Sequence, residues 1–306
     1  MPSITLVESA KLAQDDFVAG IIENVIDVNQ IYQLFPMEGI DGNSLAYNRE
    51  NILGDVQVAG VGDTITAKAA ATFTQVTSSL TTIIGDAEIN GLIQATRSKH
   101  NDQTATQIGS KAKSAGRQFQ DMMVNGTGAT NQFPGLITLC SAGKTTASTG
   151  ANGDALSFAK LDVLLDAVTD KDGQVDYIIM HSRTVRSYKA LLRGLGGNSV
   201  DDMYELPSGA KLNAYSGVPI FRNDWVPTNQ TRGASTTCTT VFAGTFDDGS
   251  RKHGVAGLTA QEAAGLQVEY VGVHQTKDEK IYRVKWYVSM ALFNLNGLAM
   301  ATGITD

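Results

Sequence analysis

The stretch Asn101-Asp-Gln-Thr-Ala-Thr-Gln-Ile-Gly-Ser-Lys-Ala-Lys-Ser-Ala-Gly-Arg-Gln-Phe-Gln-Asp-Met-Met-Val-Asn125-Gly-Thr-Gly-Ala-Thr-Asn-Gln-Phe-Pro-Gly135-Leu136 decides how the chain is read. Ala105, Ile108, Ala112, Ala115, Phe119 and Met122 recur at steps of three and four, which places them on one stripe of a helix. Asn101 and Asp102 can accept from the free backbone N–H groups at its start. Asn125-Gly126 ends it, with Gly126 suited to a left-handed cap. At 1.5 Å per residue, a helix of ~23 residues spans roughly 35 Å. Half of the stripe is alanine, so the helix invites something to pack close along it. A turn-rich crossing follows, from Asn125 to Gly135, and then Leu136-Ile-Thr-Leu.

Upstream, residues 40–82 have a different character. Small and polar residues dominate: Gly42, Asn43 and Ser44, then Gly54, Gly60, Gly62 and Asp63, then Ala69 to Ala71. Leu45 to Glu50 and Phe73 to Ile84, the latter with Val76, Leu80 and Ile84 on one face, predict strands at the two ends. Between them lie about 20 residues with no room for a core, an unusual connection inside a compact domain. The pattern predicts an extended two-stranded arm projecting from the body. An isolated hairpin is marginal in water, so such an arm calls for a partner surface. Nearer the N-terminus, Asp15 and Asp16 precede Phe17, Ile21, Ile22, Val25 and Val28 at roughly helical spacing, and Pro36 and Gly39 close the region. This segment docks either on its own domain or on a neighbour.

Downstream, Ser141 to Asp154 is a Gly/Thr/Ser-rich loop and the best internal boundary. Ser157 caps a helix carrying Leu161, Leu164, Leu165 and Val168; Val175 to Met180 reads as a buried strand. Ser182 to Leu192 is a second helix ending at Gly194, and residues 194–207 form a loop. Gly217-Val-Pro-Ile-Phe and Thr239 to Phe246 are strands, so this part is an α/β or α+β sheet domain. Val268 to Val273 and Ile281 to Met290 follow, joined by a charged turn from Gln275 to Lys280 that is expected to be exposed. In the second, Tyr282, Val284, Trp286, Val288 and Met290 share one face, while Arg283, Lys285 and Tyr287 share the other.

Composition narrows the function classes. The 306 residues are 42% hydrophobic and 18% charged, with 31 glycines, which permits one large or two ordinary domains. A net charge of −7 argues against tight nucleic-acid binding, where Lys and Arg contact phosphates. Cys140 and Cys238 are 98 residues apart and form no CxxC pair, which suits two free thiols in a reducing cytoplasm. No apolar run reaches ~18 residues, so no transmembrane helix is expected, and Met1 to Ala10 contains no signal-peptide core.

Enzymatic motifs are weak throughout. His100, His181, His253 and His274 neither pair at i,i+4 nor sit near a cysteine, so no metal site is expected. Asp170-Lys-Asp172-Gly173 resembles part of a calcium loop, but its twelfth position is His181 and not Glu; a helix-to-strand turn explains it better. Asp247-Asp248-Gly249 likewise reads as a turn. Gly126-Thr-Gly128 and Gly194-Leu-Gly196-Gly197 follow helices, whereas a phosphate cradle precedes one. Acid pairs such as Asp201-Asp202 or Glu262 with Glu269 carry no spacing signal for a glycosidase dyad. No catalytic residue, cofactor or metal is expected. Arg49, Lys68, Lys111, Lys113 and Arg117, on the arm and the long helix, are candidates for ion pairs with acids of a neighbouring copy; each also reads as part of a solvated face.

The order of these parts resembles the tailed-phage major capsid proteins of the Hong Kong 97-type fold. Phe119 to Leu136, with its Asn125-Gly-Thr-Gly128 and Pro134-Gly-Leu136, resembles the end of that family's spine helix. Gln174-Val-Asp-Tyr-Ile-Ile-Met-His-Ser182, Gly217-Val-Pro-Ile and Ile281 to Ala299 resemble the axial-domain strand and turn, its Gly-x-Pro strand and the C-terminal segment. The resemblance covers nearly the whole chain. It implies an α+β capsid fold: an N-terminal arm at 1–38, an E-loop hairpin at 39–82, a peripheral domain at 83–140 and 265–290 with spine helix 102–125, and an axial domain at 141–264 and 291–306. Lys68 lies in the segment that carries a cross-linking lysine in one family member, but no partner Asn or assisting acid matches, and no cross-link is expected.

The resemblance also implies a function. The chain would be a non-enzymatic shell subunit, forming hexamers and pentamers of an icosahedral head around double-stranded DNA that it does not read by sequence. It would be assembled in the host cytoplasm and reside in the virion. Portal and decoration proteins are its expected partners. Scaffolding is expected to be a separate protein, because the arm begins within about 15 residues of Met1. Two other readings stay open: an encapsulin-type compartment shell with an enzyme as cargo, and a soluble α/β enzyme.

Overall fold

A computed structural model describes residues 31, 34–97, 102–170, 173–194 and 203–305. Most of the arm expected over 1–38, including the helix at 15–28, and Asn101 lie outside the described residues. Among the described residues, two sheets and one projecting hairpin make up the strands. The first sheet holds β1 (Met37–Ile40), β4 (Thr81–Asn90), β13 (Val255–Ala260), β14 (Gln267–Val273) and β15 (Glu279–Leu292). The second holds β5 (Thr145–Ala147), β6 (Asp154–Ala155), β7 (Tyr177–Met180), β8 (Met203–Glu205), β9 (Lys211–Tyr215), β10 (Val218–Arg222), β11 (Gln230–Arg232), β12 (Ser235–Gly244) and β16 (Leu298–Thr305). The hairpin is β2 (Ser44–Ile52) with β3 (Thr72–Ser79). The helices are α1 (Gly91–Arg97), α2 (Gln103–Asn125), the single turn α3 (Leu136–Leu139), α4 (Phe158–Thr169) and α5 (Ser182–Gly194).

In the first sheet, β15 is the spine, antiparallel to β4 along one edge and to β14 and then β13 along the other. Its alternation is as expected at Val284 and Val288, which are buried. From Val288 to Leu292 every residue is buried, because the strand is there covered on both faces. The turn expected to be exposed through Lys280 is shorter than that. Glu279 already belongs to β15, pairs with Asn90 and is only 5% exposed.

Helix α2 lies across β4 and β15. Asp102 caps it by accepting from the backbone N–H groups of Thr104 and Ala105. The fully buried Phe119 ring meets Trp286 at 4.8 Å and Phe133 at 5.7 Å. Burying a ring of that size stabilises by roughly 1.5–3 kcal/mol. The predicted stripe holds in part. Ala115, Phe119 and Met122 are buried, Ile108 and Ala112 are half-buried, and Ala105 is exposed. Close packing along the alanines is thus confined to the C-terminal half of the helix.

Gly126 is not a left-handed cap, since its φ is −55°. Glycine is required there by proximity: a Cβ would stand 2.2 Å from the Phe133 carbonyl oxygen and 2.5 Å from that of Met122. The crossing folds back on itself, with Gly135 N donating to Gly126 O at 2.8 Å.

In the second sheet, all four residues of β7 are buried between parallel β10 and antiparallel β12. Ser157 caps α4, and Leu161, Leu164, Val168 and Tyr188 form a core with Ile178 and Val241. The chain passes between the sheets at residues 245–254 and again at 293–297. These two crossings are hydrogen-bonded to each other, Thr245 N to Gly297 O at 2.9 Å and Phe293 N to Gly254 O at 3.0 Å. A Cβ on Gly297 would lie 2.9 Å from Gly254 Cα, so the two backbones run in direct contact.

Across the outer face of the first sheet, Arg283 donates from Nε and Nη2 to the two carboxylate oxygens of Asp86, each at 2.8 Å. Lys285 reaches Glu269 at 2.6 Å.

Two expectations follow. Gly126→Ala forces backbone apart at the crossing and should destabilise the chain by roughly 1–3 kcal/mol in urea unfolding, as overpacking does. Arg283 holds the Asp86 carboxyl below its ordinary value of 3.8. A carboxyl depressed in the folded state favours folding above its unfolded pKa, and that advantage is lost as pH falls through the folded value. The stability difference between the parent and Arg283→Gln should therefore be largest near neutrality and shrink as the pH drops below 3.8, in urea titrations at stepped pH.

Candidate assembly surface

The hairpin is anchored at its root and bare at its tip. Leu45 and Tyr47 alternate toward the body and pack on a small core of Ile40, Ala256, Leu258, Ala291 and Phe293. Tyr47 meets the Phe293 ring edge-on at 5.1 Å and donates its hydroxyl to Leu292 O at 2.9 Å. Arg49 donates from Nε to Phe293 O at 3.2 Å and from Nη2 to Leu292 O.

Beyond this root the hairpin leaves the body. Every residue from 53 to 71 is exposed except Ala67 and Ala71, which are partly covered. Among the described residues, no core holds the tip. Its shape comes from polar contacts: the Gln57 carboxamide oxygen accepts from Thr66 N at 2.7 Å and Ala67 N at 2.9 Å, and Asp63 accepts from Gly60 N at 2.6 Å. Yet Val56, Val58 and Val61 are 91%, 104% and 110% exposed, and Ile52, Leu53, Ile65 and Phe73 are also bare. Full burial of such side chains is worth roughly 1.5–3 kcal/mol each, so a partner covering this set gains on the order of 10 kcal/mol before association costs.

A second exposed apolar set lies on β14. One edge of this strand pairs with β15, and Val268, Tyr270, Val271 and Val273 are 47–60% exposed.

The candidate cations fall in separate places. Lys68 is exposed on the hairpin tip. Lys111, half-buried on α2, adds a smaller Coulombic pull to that of Arg283 on Asp86. Lys113 is exposed on α2, and Arg117 stacks 5.4 Å over the Trp225 ring. Arg49, considered above as a contact to a neighbour, has its guanidinium engaged within its own chain. Sequence reading passed over Tyr47 and the tip valines. Alternation of Leu45, Tyr47 and Arg49, and of Val56 with Val58, carried the signal, masked by the surrounding glycines and polar residues.

Residues of enzymatic interest have structural partners. His181 Nδ1 accepts from Arg183 N at 3.0 Å, and Glu269 is held by Lys285. His100, Lys171, Asp172, Asp201 and Asp202 lie outside the described residues. A cleft of about 530 Å³ at the crossings is lined by Asp170, Asp176, Asp248, His253, Asn294 and Asn296. Burial raises the Asp176 carboxyl, although Phe246 N donates to it. Among the described residues, no three of His, Cys, Asp and Glu are grouped to hold a metal, and no helix is long and apolar enough to cross a membrane. Cys140 and Cys238 are free and buried, and burial pushes the Cys140 thiol up.

Comparison with known proteins agrees with this geometry. The sequence model of the phage capsid family matches residues 10–251. No curated protein matches the chain. Among solved structures, the holo-SrpI encapsulin complex from Synechococcus elongatus aligns with a TM-score of 0.75 at 16% identity, over 99% of this chain and 96% of that one. The capsid of cyanophage A-1(L) gives 0.71 at 12% identity, over 99% and 100%. A structure of Mycobacterium phage Ogopogo gives 0.66 at 15% identity, over 98% and 99%. These likenesses establish the Hong Kong 97-type fold anticipated from the order of segments.

Because Val58 and Val61 are fully exposed among the described residues, a Val58→Asp/Val61→Asp variant should unfold within about 0.5 kcal/mol of the parent. Its self-association in sedimentation velocity should fall sharply.

Proposed function

The chain belongs to the phage capsid family, and from that premise we propose that it is the major capsid protein of a tailed phage, closing as hexamers and pentamers into an icosahedral head around double-stranded DNA. The observation that carries this reading is the hairpin: a root fastened by Tyr47 and Arg49, with an apolar tip that none of the described residues covers. A monomeric protein rarely exposes apolar surface this way, and such patches mark association sites. Segment roles follow the same reading, with the arm at 1–38, the E-loop at 39–82, the peripheral domain at 83–140 and 265–290, and the axial domain at 141–264 and 291–306. Lys68, Lys111, Lys113 and Arg117 are then the cations placed on the hairpin and the long helix to meet acids of adjacent copies. Many weak contacts, each repeated around a ring, give avidity without any tight pairwise site. No catalytic step is proposed. Scaffolding, portal and decoration proteins, assembly in the host cytoplasm and residence in the virion complete the reading.

The fold likeness to an encapsulin supports a second reading, a compartment shell with protein cargo. Electron microscopy of particles from cells expressing the chain, alone and with the adjacent genes, tests both. Closed shells of five- and six-fold capsomers that hold DNA when packaging genes are present support the first. Shells that retain a co-expressed enzyme and no DNA support the second. Only monomers or dimers in every condition would overturn both.

A further inference from the structure

The root of the hairpin sits on the same two residues at which the chain leaves the first sheet for the second. Leu292 ends β15, opposite Val255, and Phe293 donates its N–H to Gly254 O across the paired crossings. The carbonyl oxygens of these two residues are taken up by Tyr47 and Arg49. Tyr47 serves Leu292, and Arg49 serves both Leu292 and Phe293. The Arg49 guanidinium also lies 5.5 Å over the Tyr47 ring and donates to its hydroxyl at 3.3 Å. This is a fork-shaped contact. A lysine, a compact ammonium on a flexible stem, lacks the planar fork that holds this arrangement in one geometry.

We infer that Arg49 and Tyr47 are positioning residues that fix the angle of the hairpin to the crossing between the sheets. Arg49 is the last β2 residue with a described hydrogen bond to the body. From there to Val61 the chain reaches at most roughly 40 Å at 3.3 Å per residue. A rotation of about 10° at the root would displace a tip at that reach by roughly 7 Å, more than the width of a strand spacing. An apolar tip can close a repeated ring only if its direction is the same in each copy. The contact therefore sets geometry, and the valines supply affinity. The same arrangement ties hairpin direction to the sheet crossing, so a rotation between the sheets would carry the hairpin with it. The consequence for closure rests on the shell-building reading; the fixing of the angle does not.

The test places spin labels at Ser114→Cys on α2 and Val61→Cys on the tip of the full, unassembled chain, where both native cysteines are buried. Arg49→Ala should broaden the measured distance distribution, Tyr47→Phe should broaden it less, and Arg49→Lys should restore it only in part. Uniform closed particles should be lost in the same order. A distribution of unchanged width in Arg49→Ala would overturn the inference. If that variant fails to fold, Tyr47→Phe decides: it keeps the ring on Phe293 and loses only the hydroxyl, and unchanged width there would overturn it equally. A parent chain that never forms shells would count against the capsid reading and leave the distance result standing.

Discussion

Two lengths of chain pass between the sheets side by side, and at Gly254 and Gly297 their backbones touch with no room for a side chain. Gly254 adopts a φ of +53°, which glycine allows without strain. From this point β13 and β15 enter one sheet, while β12 and β16 enter the other. Each crossing satisfies the polar groups of the other, through Thr245 with Gly297 and Phe293 with Gly254. A bulkier residue at either glycine would separate the strands and leave those groups unpaired. The hairpin depends on the same place, since its root is fastened to the carbonyls of Leu292 and Phe293.

The molecule thus combines a well-buried body with an arm that leaves it. The buried rings at Phe119, Phe133 and Tyr177 are ordinary core. The hairpin has the opposite economy: a ladder from Ser44–Ser79 to Ile52–Thr72, with a register shift between Glu50 and Ile52, then a tip that no core among the described residues holds. A two-stranded ribbon in water is marginal by itself. Here the root packing and the Gln57 and Asp63 contacts order it in advance, which lowers the entropy lost when a partner covers it.

Much of this was legible in the sequence, and what was not has physical causes. The long helix and the strand from Ile281 to Met290 follow from periodicity, because burial on one face imposes it, while the core-less arm follows from some 20 small and polar residues between two strands. Gly126 was misread because a glycine after a helix has two distinct uses, and only the folded chain shows that the close approach of Phe133 O decides between them. Glu279 was assigned to an exposed turn because charge normally implies solvent; Asn90 on β4 draws it into the sheet. Ala105 fits the apolar stripe of α2 yet is exposed, since periodicity marks a face but not how far along the helix a neighbour extends. Arg49 was visible only as a cation. Its role requires knowing that residues 243 positions away would end beside it.

The choice of valine at the tip has its own logic. Burying a long side chain such as Lys, Met or Gln sacrifices up to ~2 kcal/mol of rotamer freedom, whereas a β-branched residue is already stiff at χ1. Val56, Val58 and Val61 therefore lose little entropy on being covered and present a fixed shape beforehand. Valine is also small, so the gain per contact stays modest. For a subunit that meets many copies of itself, modest and stiff is the useful combination. Contacts that are individually weak can be broken and remade until the ring closes, while a tip held at one angle restricts which rings can form. Larger aromatic anchors in the same positions would bind more tightly but would trap misplaced neighbours, since each wrong contact would dissociate slowly.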